Sequence, residues 1–166
     1  MSKKIINYLK SGEFKFILVS FLLWKLYLTL LSIISVNFIP IRDMFLGGGV
    51  LNQLNSPFIL AWANFDGEHY LSIAQFGYKH LEQAFFPFYP ILIKALMFLG
   101  FNSLWAGLFI SHLSLLVALY FLYKITEFDF GDDVAKRAVF SLLIFPTSFY
   151  FGAVYSESLF LLISVA

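Results

Sequence analysis

Asp66, Glu68 and His69 fall within four consecutive positions of the stretch WANFDGEHYLSIAQFGYKHLEQAFFPFYP, Trp62–Pro90. Two carboxylates and an imidazole this close together suit acid–base chemistry. A carboxylate or imidazole within hydrogen-bonding reach of a hydroxyl can take its proton, which is worth about 10²–10⁴-fold in rate. Gly67 lets the backbone turn sharply beside Asp66. The same residues also fit the ordinary solvated charge of a loop, and spacing does not separate the two readings. A metal reading has less behind it: Asp66, His69 and His80 offer ligand atoms, but no helical i, i+4 pair places two of them together. Aromatic rings surround the charges, among them Trp62, Phe65, Tyr70, Phe76, Tyr78, Phe85 and Tyr89. Such rings form a belt at the headgroup level of any membrane protein. They equally suit sugar binding, in which ring faces pack on a pyranose while carboxylates take its hydroxyls.

The elements that position this stretch are apolar. The chain is 60% hydrophobic, 20% aromatic and 13% charged, with mean hydropathy +0.83, which is too apolar for a soluble domain of 166 residues. A membrane span needs ~20 mostly apolar residues, and several runs approach that length. The formal charge of +1 gives no sign of nucleic-acid binding, and without cysteines there is neither a disulfide nor a thiolate metal site. The run Leu159–Ala166 has no polar residue to close it, so the sequence reads as the N-terminal piece of a longer protein.

Met1–Lys15 carries Lys3, Lys4, Lys10 and Lys15 against Glu13. A first span of about 16–36 follows; it is longer than a signal-peptide core and no small-residue cleavage site comes after it. Lys25 inside this run reads as a bundle-facing or snorkelling lysine, or as a lipid-phosphate contact. Hydropathy then breaks over 37–102, where Pro40, Gly47–Gly49 and Asn52–Pro57 are turn signals. Phe88–Phe101 is apolar but short for a crossing, which suggests a helix lying in the interface. A second span is expected at about 103–123, a polar loop at Lys124–Arg137, a third span at about 138–154, and a fourth, truncated, at 157–166. His112, inside the second span, fits a helix–helix hydrogen bond. Glu157, a carboxylate between apolar runs, marks a cavity or a partner.

Lysine and arginine placement predicts the topology. The first 15 residues hold four and Lys124–Arg137 holds three, while Asn37–Asn102 holds only Arg42, Lys79 and Lys94. The positive-inside bias puts the first two segments in the cytoplasm and the long one outside. If Phe88–Phe101 does not cross, Tyr155–Ser158 returns to the same face as Asp66; if it does, they part.

Three segments in order, Phe65–Tyr78, Phe85–Pro90 (FFPFYP) and Phe145–Phe160 (FPTSFYFGAVYSESLF), resemble the PIG-V-type mannosyltransferases. These are the GPI mannosyltransferase II family and its bacterial relatives, within the GT-C glycosyltransferases. The resemblance runs from about Phe14 to the end. One departure is Phe65, where the family tends to have Trp before the Asp.

The resemblance implies an all-α, polytopic integral membrane protein: a GT-C-like helical bundle whose large outer loop, 37–102, carries membrane-lying helices. It implies transfer of a sugar, mannose by the family name, from a polyprenyl- or dolichyl-phosphate carrier to a lipid or glycan hydroxyl, with inversion. Asp66 matches the catalytic carboxylate and would be the general base. Glu68, His69 and Glu157 would hold sugar or acceptor hydroxyls, while Tyr70, Tyr78, Tyr89 and Tyr155 shape the pocket. Arg42, Lys79 or Lys94 would face the departing phosphate. No cofactor and no metal enter this scheme. The partners expected are a lipid-linked sugar donor, a lipid or glycan acceptor and the bilayer of a bacterial cell or the endoplasmic reticulum. Two other classes fit the composition: a lipid-linked-sugar transporter or flippase, and a non-catalytic membrane scaffold.

Overall fold

The computed structural model describes residues 12–39 and 61–166, and these form helices with no strand among them. The turn signals between Pro40 and Pro57, and Arg42 with them, lie outside the described residues. In chain order the helices are α1 (Gly12–Phe38), α2 (Asp66–Phe76), α3 (Phe88–Phe98), α4 (Ser103–Phe130), α5 (Asp132–Ile144) and α6 (Glu157–Val165). Short 3-10 segments lie at Glu82–Ala84 and Pro146–Gly152. The protein is an all-helical membrane protein: α1 and α4 are long and apolar enough to cross a bilayer. At 27 and 28 residues they rise about 40 Å each, against a hydrocarbon core of about 30 Å. A third crossing results if α5 and the Pro146–Gly152 segment, bent by 86° from each other, count as one. Helix α3, with 11 residues, rises only about 16 Å and is too short to span.

Helix α4 organises the rest. Its first half, through Leu104, Ala106, Leu108 and Ile110, packs with Ala63, Tyr70, Leu71, Tyr89, Ile93 and Val154. Its second half, through Leu115, Leu119 and Tyr123, packs with Ile17, Phe21 and Trp24 of α1 and with Ala135, Val139 and Leu143 of α5. The N-terminus of α4 is capped by Asn102, whose side chain accepts from the Leu104 amide at 2.9 Å. In the second half the buried residues recur every four positions and form one face, whereas in the first half they fall two apart, so the helix is covered there on more than one side. Helix α1 by contrast leaves Leu22, Leu23, Leu26, Leu30 and Ile34 exposed, as a lipid-facing surface should.

The polar segment Lys124–Arg137, expected as a loop, is helical except at Gly131. Lys124 pairs with Glu127 and Lys136 with Asp132, at the i, i+3 and i, i+4 spacings that helices favour. Lys124 also reaches Glu13, which ties the start of α1 to the end of α4. Gly131, at φ +85°, is the residue that ends one helix and begins the next. The apolar run after Ala138 is likewise not one straight helix. Phe145 is extended (φ −60°, ψ 136°), as the residue before a proline prefers, and the chain turns there.

Candidate functional site

Asp66 is the first residue of α2, and its neighbours come from both ends of the chain. The Trp62 carbonyl accepts from the Val154 amide at 2.7 Å, so the segment before α2 is joined to the segment before α6. The join is close: a Cβ on Gly67 would stand 3.2 Å from the Val154 carbonyl oxygen. Glycine therefore permits the approach directly beside Asp66. Tyr155 then donates its hydroxyl to the Asn64 carbonyl at 3.0 Å, and Tyr70 and Ser156 share a hydrogen bond of 2.9 Å. On the far side, Ser111 of α4 donates to the Tyr155 carbonyl at 3.2 Å. The 153–157 segment is thus clasped between α2 and α4.

Three carboxylates and two phenols result from this convergence. Asp66 is exposed, while Glu68 and Glu157 are partly buried. One oxygen of each, Glu68 Oε2 and Glu157 Oε2, is shielded from solvent with no hydrogen-bond partner. Asp66 is near enough to Glu157, Tyr70 and Tyr155 for its charge to act on all three. Burial raises the Glu68 carboxyl above the usual range, with His69 opposing it. Burial likewise pushes the Tyr155 phenol up to about 12, and the Asp66 charge adds to it. Both phenols therefore stay protonated donors, and the shielded carboxylate oxygens are acceptors that a hydroxyl-rich ligand would satisfy. Among the described residues, no lysine or arginine pairs with Asp66, Glu68 or Glu157.

Phe65, directly before Asp66, has φ +53° and ψ −116°, a region that only glycine enters freely. Such strain costs about 1–3 kcal/mol and gathers at functional positions. Here it turns the chain from the Trp62–Asn64 segment into α2 and sets the direction in which Asp66 starts the helix.

The other sequence-stretch residues divide by environment. His69 lies one turn from Asp66 and stacks on Phe85, with ring centroids 4.8 Å apart. Tyr78 donates to the Phe85 carbonyl at 2.7 Å and so braces the loop that carries Phe85. Lys79 is exposed, its ammonium 4.4 Å from the Phe76 ring centroid, and Lys94 is exposed on α3. Tyr89 is buried, donating to the Gly107 carbonyl at 2.9 Å and bonded to Ser111 at 2.7 Å. It faces Tyr70 edge-on and supports the site from beneath. Among the described residues no three His, Asp or Glu side chains are placed to hold one metal ion, so Asp66, His69 and His80 do not form such a group.

Several participants carried no signal of their own in the sequence. Ser156, Ser111 and Asn64 are small polar residues whose role exists only once the segments meet. Glu82 belongs with them, and it is 4% exposed. Lys25 has its ammonium 3.5 Å over the Trp62 ring, the snorkelling-or-bundle reading made specific as a cation–π contact.

Trp62 also borders an apolar groove of about 810 Å³ between α1 and the bend at Phe145. Trp24, Leu28, Leu31, Leu143 and Pro146 line it. The groove and the acidic cluster are therefore neighbours through one residue.

The chain is 31% identical over 130 residues to the human GPI alpha-1,6-mannosyltransferase 2, an alignment covering 70% of this chain and 26% of that protein. The chain thus spans about a quarter of the length of the curated relative it matches, and the family resemblance seen in the three motifs is supported by this similarity. No family model matches the chain, and no solved structure matches it significantly.

Proposed function

We propose that this chain is the catalytic part of a membrane glycosyltransferase of the GT-C type that moves mannose from a polyprenyl- or dolichyl-phosphate carrier to an acceptor hydroxyl. The observation that carries the reading is that Tyr155, bonded to the Asn64 carbonyl, and Glu157 lie close enough to Asp66 to feel its charge, so that two separate segments resembling the mannosyltransferase family come together. Similarity to a protein named as a mannosyltransferase supports the reaction class.

In this reading the exposed Asp66 carboxylate takes the proton of the acceptor hydroxyl as its oxygen attacks the anomeric carbon. The bond from that carbon to the carrier phosphate breaks, its electron pair leaves on the phosphate oxygen, and the anomeric configuration inverts. The shielded oxygens of Glu68 and Glu157 accept from sugar or acceptor hydroxyls, while the Tyr70 and Tyr155 phenols border the same space. The groove beside Trp62 suits the hydrocarbon of a carrier lipid, since its lining is mostly apolar, with Ser20, Ser32, Ser35 and Ser148 its small polar members. Lys79 and Lys94 are exposed and free to turn toward a phosphate, and Arg42 is a third candidate for that role.

The test supplies the full-length protein in membranes with radiolabelled polyprenyl-phosphate mannose and follows label to a second lipid or glycan. Transfer by the parent and none by Asp66→Asn, with insertion and carrier binding kept, is the expected result. Equal transfer by Asp66→Asn would remove Asp66 from the base role. Carrier movement across the membrane without transfer would replace the enzyme by a transporter.

A further inference from the structure

We propose that Glu82 is a positioning residue of this site, holding the His69 imidazole toward the ligand side of α2; the proposal rests on the transferase reading above. Glu82 opens the 3-10 segment Glu82–Ala84 and is buried. One of its oxygens accepts from the Lys79 amide at 2.7 Å, and the other stands 3.6 Å from His69 Nδ1. These are its polar partners among the described residues, and no lysine or arginine pairs with it. The ring is fixed on its face as well: Phe85, whose amide bonds the Glu82 carbonyl at 3.0 Å, stacks on His69 with the planes 25° apart.

The loop that delivers these groups is built for it. Leu81 takes a left-handed φ of +70° to bring Glu82 round, a conformation that costs a non-glycine residue. Tyr78 pins the Phe85 carbonyl from the other side. An apolar side chain would fill the Glu82 position at less cost, because a buried carboxylate must be desolvated. The carboxylate faces an imidazole that is 36% exposed and one helical turn from Asp66, on the same face of α2. At 3.6 Å the contact is longer than a hydrogen bond, but the carboxylate's charge favours the proton on Nδ1, the nearer nitrogen, which leaves Nε2 to accept from a sugar or acceptor hydroxyl. The other charged groups near the ring are Glu68 and Asp66 of its own helix.

The experiment uses Glu82→Gln, which keeps an acceptor for the Lys79 amide while removing the charge that faces the ring. In detergent, the His69 Cε1–H resonance, identified by its loss in His69→Gln, reports the ring current of Phe85. It should move toward the free-imidazole position in Glu82→Gln. In membranes, the same variant should lose about tenfold in sugar transfer, a size typical of coupling between contacting residues, with the carrier KM unchanged. In the His69→Gln background it should lose nothing more. An unmoved His69 resonance overturns the proposal, as does an equal loss in both backgrounds, which would make Glu82 a brace of the loop alone. The resonance answers the positioning question even where no transfer is found, in which case the transferase reading fails by itself.

Discussion

The Tyr155 hydroxyl donates to the Asn64 carbonyl at 3.0 Å, so that two residues 91 positions apart close the site two residues before Asp66. With the Trp62–Val154 backbone bond of 2.7 Å, it is the polar seam that holds the two family motifs together. Tyr155→Phe keeps the ring and leaves the Asn64 carbonyl without this partner. The Asn64 carbonyl keeps the Gly67 amide at 3.1 Å, so one of its two hydrogen bonds is lost. Such a bond contributes about 0.5–1.5 kcal/mol, and thermal unfolding in detergent should show a loss of that order. Sugar transfer should fall by about tenfold, since a shift near 1.4 kcal/mol in the transition state is tenfold in rate. A stability loss with full activity would mean that the seam holds the fold without setting the geometry of Asp66.

Gly107 of α4 sits directly under Val154: a Cβ there would lie 2.8 Å from Val154 Cγ1 and 3.3 Å from Cγ2. Val154 is fully buried and its amide is held by Trp62, so it has little freedom to retreat. Gly107→Ala should cost about 1–3 kcal/mol, the usual range for overpacking. Val154→Ala removes both clashing methyls, and in its background Gly107→Ala should cost much less. Melting temperatures of the four proteins make a double-mutant cycle. Additive losses would show that the two residues do not crowd each other.

Glu68 gives the stability a pH dependence of known sign. Burial raises its folded-state pKa above that of the unfolded chain, near 4.3 for a free glutamate. The native state therefore binds more protons than the unfolded state between those two values. Stability from this group is full below the unfolded value and is lost as pH rises through the folded one. Glu68→Gln should flatten the unfolding temperature over that interval and raise it at neutral pH. A profile that the substitution leaves unchanged would mean that the carboxylate is solvated in the folded protein.

How much was legible depended on the range of the interaction. Helices α1 and α4 were visible because an apolar run of spanning length, even with a single Lys25 or His112 inside it, has few alternatives to a helix in a bilayer. The shortness of the Phe88–Phe98 helix was visible too, from the prolines at its start and the polar turn beyond. The acidic residues were visible as candidates, since a carboxylate such as Glu157 between apolar runs is costly without a reason. Helix continuity past Tyr123 was harder to see. Charged residues at 124–137 look like a loop by hydropathy, but their i, i+3 and i, i+4 pairing suits a helix.

The sequence by itself determined the class of protein: hydrophobic composition dictates helices in a membrane, and the order of three motifs points to a mannosyltransferase-like chain. Only the tertiary structure decided which of the marked residues share a site. Tyr89 and Tyr155 look alike as aromatic residues near a polar stretch. Packing under α4 puts the Tyr89 hydroxyl in the core, and the close approach of Gly67 to Val154 puts Tyr155 beside Asp66. Periodicity and composition describe what a residue prefers within its own helix. Contacts across 91 positions depend on how helices cross, which is set by the side chains of both partners at once.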